Sequence, residues 1–391
     1  MVFRLIIEFA YHKINKLYHN NTLYFKNGNV FLRAEINIIM KRKSILLQVF
    51  ILSAIAVSVF SCKPNSGSND ASANNETDSL QMMAKSIFKP LPKQADNPEN
   101  VCTPEKVALG KMLFYDTRLS KKGNNSCNSC HNLATYGVDH KSFSIGDEGK
   151  PGGRNSPTVL NAAIHATQFW DGRAKDVEEQ AGMPVMNPVE MNIPSKEFLE
   201  ERLRKDATYQ KMFATAFPGE KNALNYGNIQ KALGAFERTL ITPSKFDEYL
   251  EGNTNALNKD EKKGLDLFIN TGCVTCHSGA GVGGNMFQKF GVYGNYWEQT
   301  KSAAIDSGKV TVSKDPHEAF MFKVPSLRNI EKTHPYFHDG SVADLNQAIT
   351  IMAKVQLNKT LSQDEVSSIA TFLKTLTSNV PAEAMQDPFK K

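Results

Sequence analysis

Gly110-Lys111-Met112-Leu113-Phe114 runs ahead of Cys127-Asn128-Ser129-Cys130-His131, and Gly264-Leu265-Asp266-Leu267-Phe268 runs ahead of Cys273-Val274-Thr275-Cys276-His277. The pairs form a crude internal repeat whose Cys-x-x-Cys-His motifs start 146 positions apart, about one domain length. Such a motif is the attachment signature of haem c: two thiols add to the vinyl groups, and the adjoining His reaches the iron as its proximal ligand. A zinc site would want Cys and His at other spacings, and a redox dithiol has no need of a trailing His twice. The chain is therefore expected to hold two covalently bound haems, at Cys127, Cys130 and His131 and at Cys273, Cys276 and His277.

Working outward, the surrounding signals are helical. Thr103-Pro104-Glu105 opens a helix with Pro in its first turn, and Ser195 opens another ahead of Phe198, Leu199 and Leu203. Ser362 and Glu365 form a capping box before Val366, Ile369, Ala370, Leu373 and Leu376, an apolar stripe at helical spacing. Extended alternating runs are scarce. The fold expected is mainly α, two tandem cytochrome c-like domains with few short strands, spanning 83–250 and 251–391, their junction near Pro243 to Asn258.

Length and charge bound the rest. The 391 residues are 41% hydrophobic, enough for two or three domains with sizeable cores. The net charge of +6 sits near the N-terminus: residues 1–61 hold eight basic and two acidic side chains, leaving 38 of each sign. A formally neutral folded part argues against a nucleic-acid partner. From Met40, Lys41-Arg42-Lys43 leads into the apolar run Ile45 to Phe60 and then Cys62, the layout of a secretory leader at 40–61. Val59-Phe60-Ser61-Cys62 resembles a lipobox, with Phe60 bulkier than usual, so Cys62 is expected to be acylated and to tether the protein to a membrane. Residues 1–39 read as an over-extended start, and 62–82 as a flexible tether too poor in apolar side chains to order itself. Cys102 then has no partner and is expected to be a buried, inert thiol.

What fills the sixth position of each iron separates an electron carrier from an enzyme, because a saturated iron cannot bind a substrate. Met286, Met321 and Met352 follow His277, and His140 and His165 follow His131. Spacing alone does not choose among them.

From about Asn97 to Leu376 the chain resembles the bacterial di-haem cytochrome c peroxidases, a family that includes the enzyme that builds tryptophan tryptophylquinone. The resemblance rests on Leu109-Gly110-Lys111 with Leu113-Phe114 and Asp116, Arg154-Asn155-Ser156-Pro157, Phe169-Trp170-Asp171-Gly172-Arg173, and Pro188-Val189-Glu190-Met191. It continues through Phe236-Glu237-Arg238-Thr239, Pro325-Ser326-Leu327-Arg328-Asn329, and Thr333-His334-Pro335-Tyr336-Phe337-His338-Asp339-Gly340.

The resemblance implies roles. His277 and Met352 match the axial pair of the electron-entry haem, whose thioether raises its potential. Glu190 matches the distal acid at the peroxidatic haem of the first domain, Gln180 its polar neighbour, and Trp170 an aromatic between the haems. Asn155, Thr333 and Pro335 match a calcium site of oxygen donors, backbone carbonyls included. Hydrogen peroxide is the implied substrate and a small periplasmic cytochrome c or copper protein the electron donor; a homodimer is compatible with the family, and the periplasm, on a lipid anchor, is the expected location. Asp147 in Ser144-Ile145-Gly146-Asp147 stands where these peroxidases usually carry a His that blocks the first haem, so that haem is expected to rest without a strong sixth ligand. Two alternatives are an oxidase of a protein or small molecule, disfavoured because the quinone-building relative has Tyr where this chain has Met352, and a non-enzymatic two-haem shuttle, which needs both irons saturated.

Overall fold

Thr103 caps the helix its Thr-Pro-Glu signature predicts, its hydroxyl accepting from Lys106 N at 3.3 Å. A computed structural model describes residues 70–390 of the protein. The leader, Cys62, the 1–39 segment and the first part of the tether lie outside the described residues. Helices dominate: α1 (Asp70–Ile87), α2 (Pro104–Tyr115), α3 (Cys127–Cys130), α4 (Val177–Met186), α5 (Lys196–Arg204), α6 (Ala207–Ala216), α7 (Tyr226–Glu237), α8 (Lys245–Glu251) and α9 (Lys259–Thr271). Strand β1 (Phe287–Lys289), helices α10 (Tyr296–Thr300) and α11 (Val310–Ser313), and strand β2 (Met321–Lys323) follow, then α12 (Leu345–Leu357), α13 (Gln363–Lys374) and α14 (Ala382–Met385). The strands pair antiparallel with Gln288 opposite Phe322. Ser195 accepts from Phe198 N at 3.1 Å, and the Ser362–Glu365 box closes in both directions.

The two Gly residues of the repeat explain how each half is built. A Cβ on Gly110 would lie 1.9 Å from Ala232 O, and one on Gly264 would lie 2.0 Å from Ser368 O. Bare glycine thus lets α2 cross α7, and α9 cross α13, with backbones in contact. Leu109, Leu113 and Phe114 fill the first core together with Phe213, Leu233 and Phe236, while Leu265 and Phe268 meet Phe372 and Leu373 in the second. A third apolar cluster, Phe290, Tyr296, Phe322, Tyr336 and Val355, adjoins Trp170.

Two boundaries differ from expectation. The tether expected over 62–82 is helical from Asp70, because Leu80, Ala84 and Phe88 recur every four residues and pack on α8; Phe88 meets Phe246 edge-on at 5.3 Å, and Gln81 Nε2 donates to Tyr249 O at 2.8 Å. By the same contacts α1 and α8 belong to the second core, so the junction set at 250/251 falls before Ser244 instead. The junction is polar and buried: Thr242 Oγ1 accepts from Asn161 Nδ2 at 2.8 Å and from Asn329 Nδ2 at 2.9 Å.

Those two asparagines belong to a second repeat. Pro157 to Asn161 and Pro325 to Asn329 lie 168 positions apart, as do Phe169-Trp170-Asp171-Gly172 and Phe337-His338-Asp339-Gly340. Asn161 and Asn329 both adopt the left-handed conformation, at φ 58° and 60°, and the second pair of segments is closed by the matching bridges Gln168–Ala174 and Tyr336–Val342. Trp170 and His338, equivalent in this repeat, meet edge to face at 6.3 Å.

Candidate functional site: two cavities that share a tryptophan

The first cavity, about 390 Å³, is lined by Cys127, Cys130, His131, Gln180, Glu190 and Glu237 among others. Helix α3 presents the two thiols: Ser126 N donates to Ser129 Oγ at 3.0 Å, and His131 N donates to Cys127 O at 2.9 Å, which fixes the His at the helix end. Gln180 projects from α4. Glu190 stands in the turn after it, where its Oε1 accepts from Asn187 Nδ2 at 3.0 Å. Burial raises the Glu190 carboxyl above the ordinary range, with Arg173 and Asn187 opposing. Glu237, at the end of α7, is 4% exposed, and burial pushes it up to about 8.

The second cavity, about 230 Å³, is mostly apolar and lined by Cys273, Cys276, His277, Phe268 and Met352. Burial holds His277 down at about 4, with its Nδ1 3.4 Å from Val282 O, so the ring is neutral with Nε2 free to ligate. Of the three Met candidates, Met352 on α12 lines this cavity; Met286 and Met321 do not. Asn155, Phe169 and Trp170 line both cavities, and Trp170 Nε1 donates to Asn155 O at 2.9 Å. Thr333 and Pro335 line the second cavity. The three residues expected at a calcium site thus share one wall, and Asn155 Nδ2 donates to Lys141 O at 2.9 Å, which leaves Oδ1 as the side-chain oxygen available to a cation.

The two His candidates for the first iron are not at its cavity. His140 stacks on His334 at 4.3 Å, and His165 lines the second cavity. Among the described residues His131 is the one His on the first. Asp147 is off the lining too: its N donates to Glu190 O at 2.6 Å, and its Oδ1 accepts from Lys122 N at 2.8 Å. Cys102 is half-buried rather than buried, a free thiol raised chiefly by burial, with Sγ 3.9 Å from Asn100 O.

Both cavities fit a haem. The four motif cysteines form no disulfide, and burial raises Cys127, Cys130 and Cys273, the last to about 11, opposite to the lowered values of redox dithiols. Burial lowers the His131 ring as well, opposed by the backbone at Gly137 and Pro157, leaving a neutral ligand. Haem bound there would supply iron-centred redox chemistry. Two lining residues had no role in the sequence reading: Glu237, inside a quoted motif but without a paired carboxylate nearby in sequence to betray it, and Lys323, which reads as an ordinary strand lysine.

A family model described as di-haem cytochrome c peroxidase matches residues 104–255. The cytochrome c551 peroxidase of Nitrosomonas europaea is 48% identical over 291 residues, covering 74% of this chain and 84% of that protein. The cytochrome c551 peroxidase of Pseudomonas aeruginosa is 40% identical over 312 residues, covering 78% and 88%. Among solved structures, a MauG-like protein associated with microbial copper homeostasis matches with a TM-score of 0.67 at 30% identity, covering 77% of this chain and 98% of that one. Twin Cys-x-x-Cys-His cavities on a mainly helical scaffold, with relatives of this identity along most of their length, place the chain in one family: it belongs to the di-haem cytochrome c peroxidases.

Proposed function

We propose that the protein reduces hydrogen peroxide to water; Cys127, Cys130 and His131 would hold one haem c, and Cys273, Cys276, His277 and Met352 a second. The haems would supply electron storage and redox-active iron; one peroxide, two electrons and two protons give two waters. The chain supplies the proton handling. Glu190 takes the proton of the inner peroxide oxygen and returns it to the outer one, so the O–O bond breaks with water as the leaving group. A carboxyl raised by burial holds a proton more readily than an exposed one, which suits that exchange. Gln180 orients the peroxide, and Trp170, on the wall common to both cavities, shortens the path between them.

The observation that carries this reading is that Glu190 and Gln180 share a cavity with His131 and with no second His among the described residues. Asp147, tied to Lys122 and Glu190, supports an iron that rests without a strong sixth ligand on that side. Met352 favours the peroxidase over an oxidase of the quinone-building kind. Calcium at Asn155, Thr333 and Pro335, a small cytochrome c or copper protein as electron donor, homodimerisation, and export to the periplasm on a lipid at Cys62 complete the proposal; the cytochrome c551 in the relatives' names supports the cytochrome donor, and the leader-like segment supports export.

The test is peroxide consumption by the haem-loaded protein with a reduced small cytochrome or copper protein. Glu190→Gln is expected to slow turnover by about 10²–10⁴-fold with haem content unchanged. No turnover by the unaltered protein, or a low-spin bis-His signal from the His131 haem in its oxidised spectrum, counts against the reading.

A further inference from the structure

Lys323 ends strand β2 and is 7% exposed. Its backbone N donates to Trp170 O at 2.8 Å, and its Nζ lies 3.4 Å from His165 Nδ1. The ammonium donates one hydrogen to that nitrogen, which leaves its other hydrogens without an acceptor among the described residues. Among the described residues no carboxylate pairs with it. The wall of the second cavity, to which Lys323 and His165 both belong, carries no Asp or Glu; its other titratable groups are His277, His338, Tyr336 and the two thiols.

A buried ammonium without an anion costs several kcal/mol, and an apolar side chain of like volume would pack there at no such cost. Burial lowers Lys323 to about 8 for this reason. A residue retained at that expense is matched by negative charge that the cavity receives from outside the chain. Haem brings two propionate carboxylates, and the cavity is otherwise apolar.

We propose that Lys323 is the receptor for a propionate of the haem joined to Cys273 and Cys276, with His165 as the positioning residue that holds the ammonium. The inference rests on the reading that this cavity holds haem c. It sets the porphyrin's polar edge on the Trp170 side. It also places a fixed positive charge beside that haem, which favours its ferrous form and so assists Met352 in raising its potential.

Spectroelectrochemical titration of the haem-loaded protein tests it. Lys323→Met is expected to lower the midpoint potential of the Met352-ligated haem, and Lys323→Arg to restore most of it. An unchanged potential in Lys323→Met with both haems attached overturns the proposal. A crystal structure of the unaltered haem-loaded protein decides the matter even where the variant fails to load: Nζ in hydrogen-bond contact with a propionate oxygen supports it, and both propionates bonded elsewhere overturn it. Mass analysis of the haem count separates this failure from that of the underlying reading, which fails when Cys273 and Cys276 carry no haem.

Discussion

Glu237 shows how much a single buried carboxyl can govern. It is 4% exposed beside Cys127, and burial, reinforced by Glu178 and opposed by Arg238, lifts it to about 8. In the unfolded chain a Glu titrates near 4.3. Between these values the folded state holds a proton that the unfolded state has released, so stability is full below the lower value and falls as pH rises through the upper one. Glu237→Gln removes that slope. The variant is expected to melt close to the unaltered protein at pH 5 and above it at pH 8, as read from thermal midpoints at the two values; equal offsets at both would show that the carboxyl does not titrate this way. Burial raises Glu190 too, but there Arg173 and the Asn187 amide oppose the rise.

At the scale of elements, the helix crossings carry the fold. Gly→Ala inside a helix ordinarily stabilises by about 0.5–1 kcal/mol. At Gly264 the sign reverses, because the new Cβ would sit 2.0 Å from Ser368 O and 2.9 Å from Phe372 Cβ, and α9 would have to lift off α13. Gly264→Ala is expected to cost about 1–3 kcal/mol, the usual penalty of overpacking, measured as a lower denaturant midpoint. A rise in midpoint would show that the crossing has slack. The caps at Thr103, Ser195 and Ser362 and the haem motifs were legible because each is local: a hydroxyl and an amide three residues apart, or two thiols and an imidazole in five. The 168-residue repeat was not, since Asn161 and Asn329, or Trp170 and His338, are single turn residues in segments without periodicity, equivalent only once both turns are seen to close alike. Lys323 was equally silent, because its meaning lies in the absence of a carboxylate from a wall built by distant segments.

At the scale of the whole molecule, the first and last helices among the described residues are laced into the opposite halves. Helix α1, first among the described residues, packs in the second core, while Val380 and Ala384, near the C-terminus, pack in the first. Tyr115 Oη donates to Ala384 O at 2.9 Å, and Lys111 Nζ donates to Glu383 O, so α2, the helix ahead of the first haem motif, is clasped from the far end of the sequence. Neither half then presents a complete surface when alone, which explains why a junction read from motif spacing misplaced α8. Ending the chain after Thr377 removes the buried Val380, worth roughly 1.5–3 kcal/mol, and strips Tyr115 of its acceptor, worth about 1 kcal/mol more. The shortened protein is expected to keep all four motif thiols and both cavities yet unfold at a denaturant midpoint lower by an amount equivalent to about 2–4 kcal/mol. If the clasp were only a surface tail, the midpoint would not move, and the two halves would have to be regarded as independently stable around their own helix crossings.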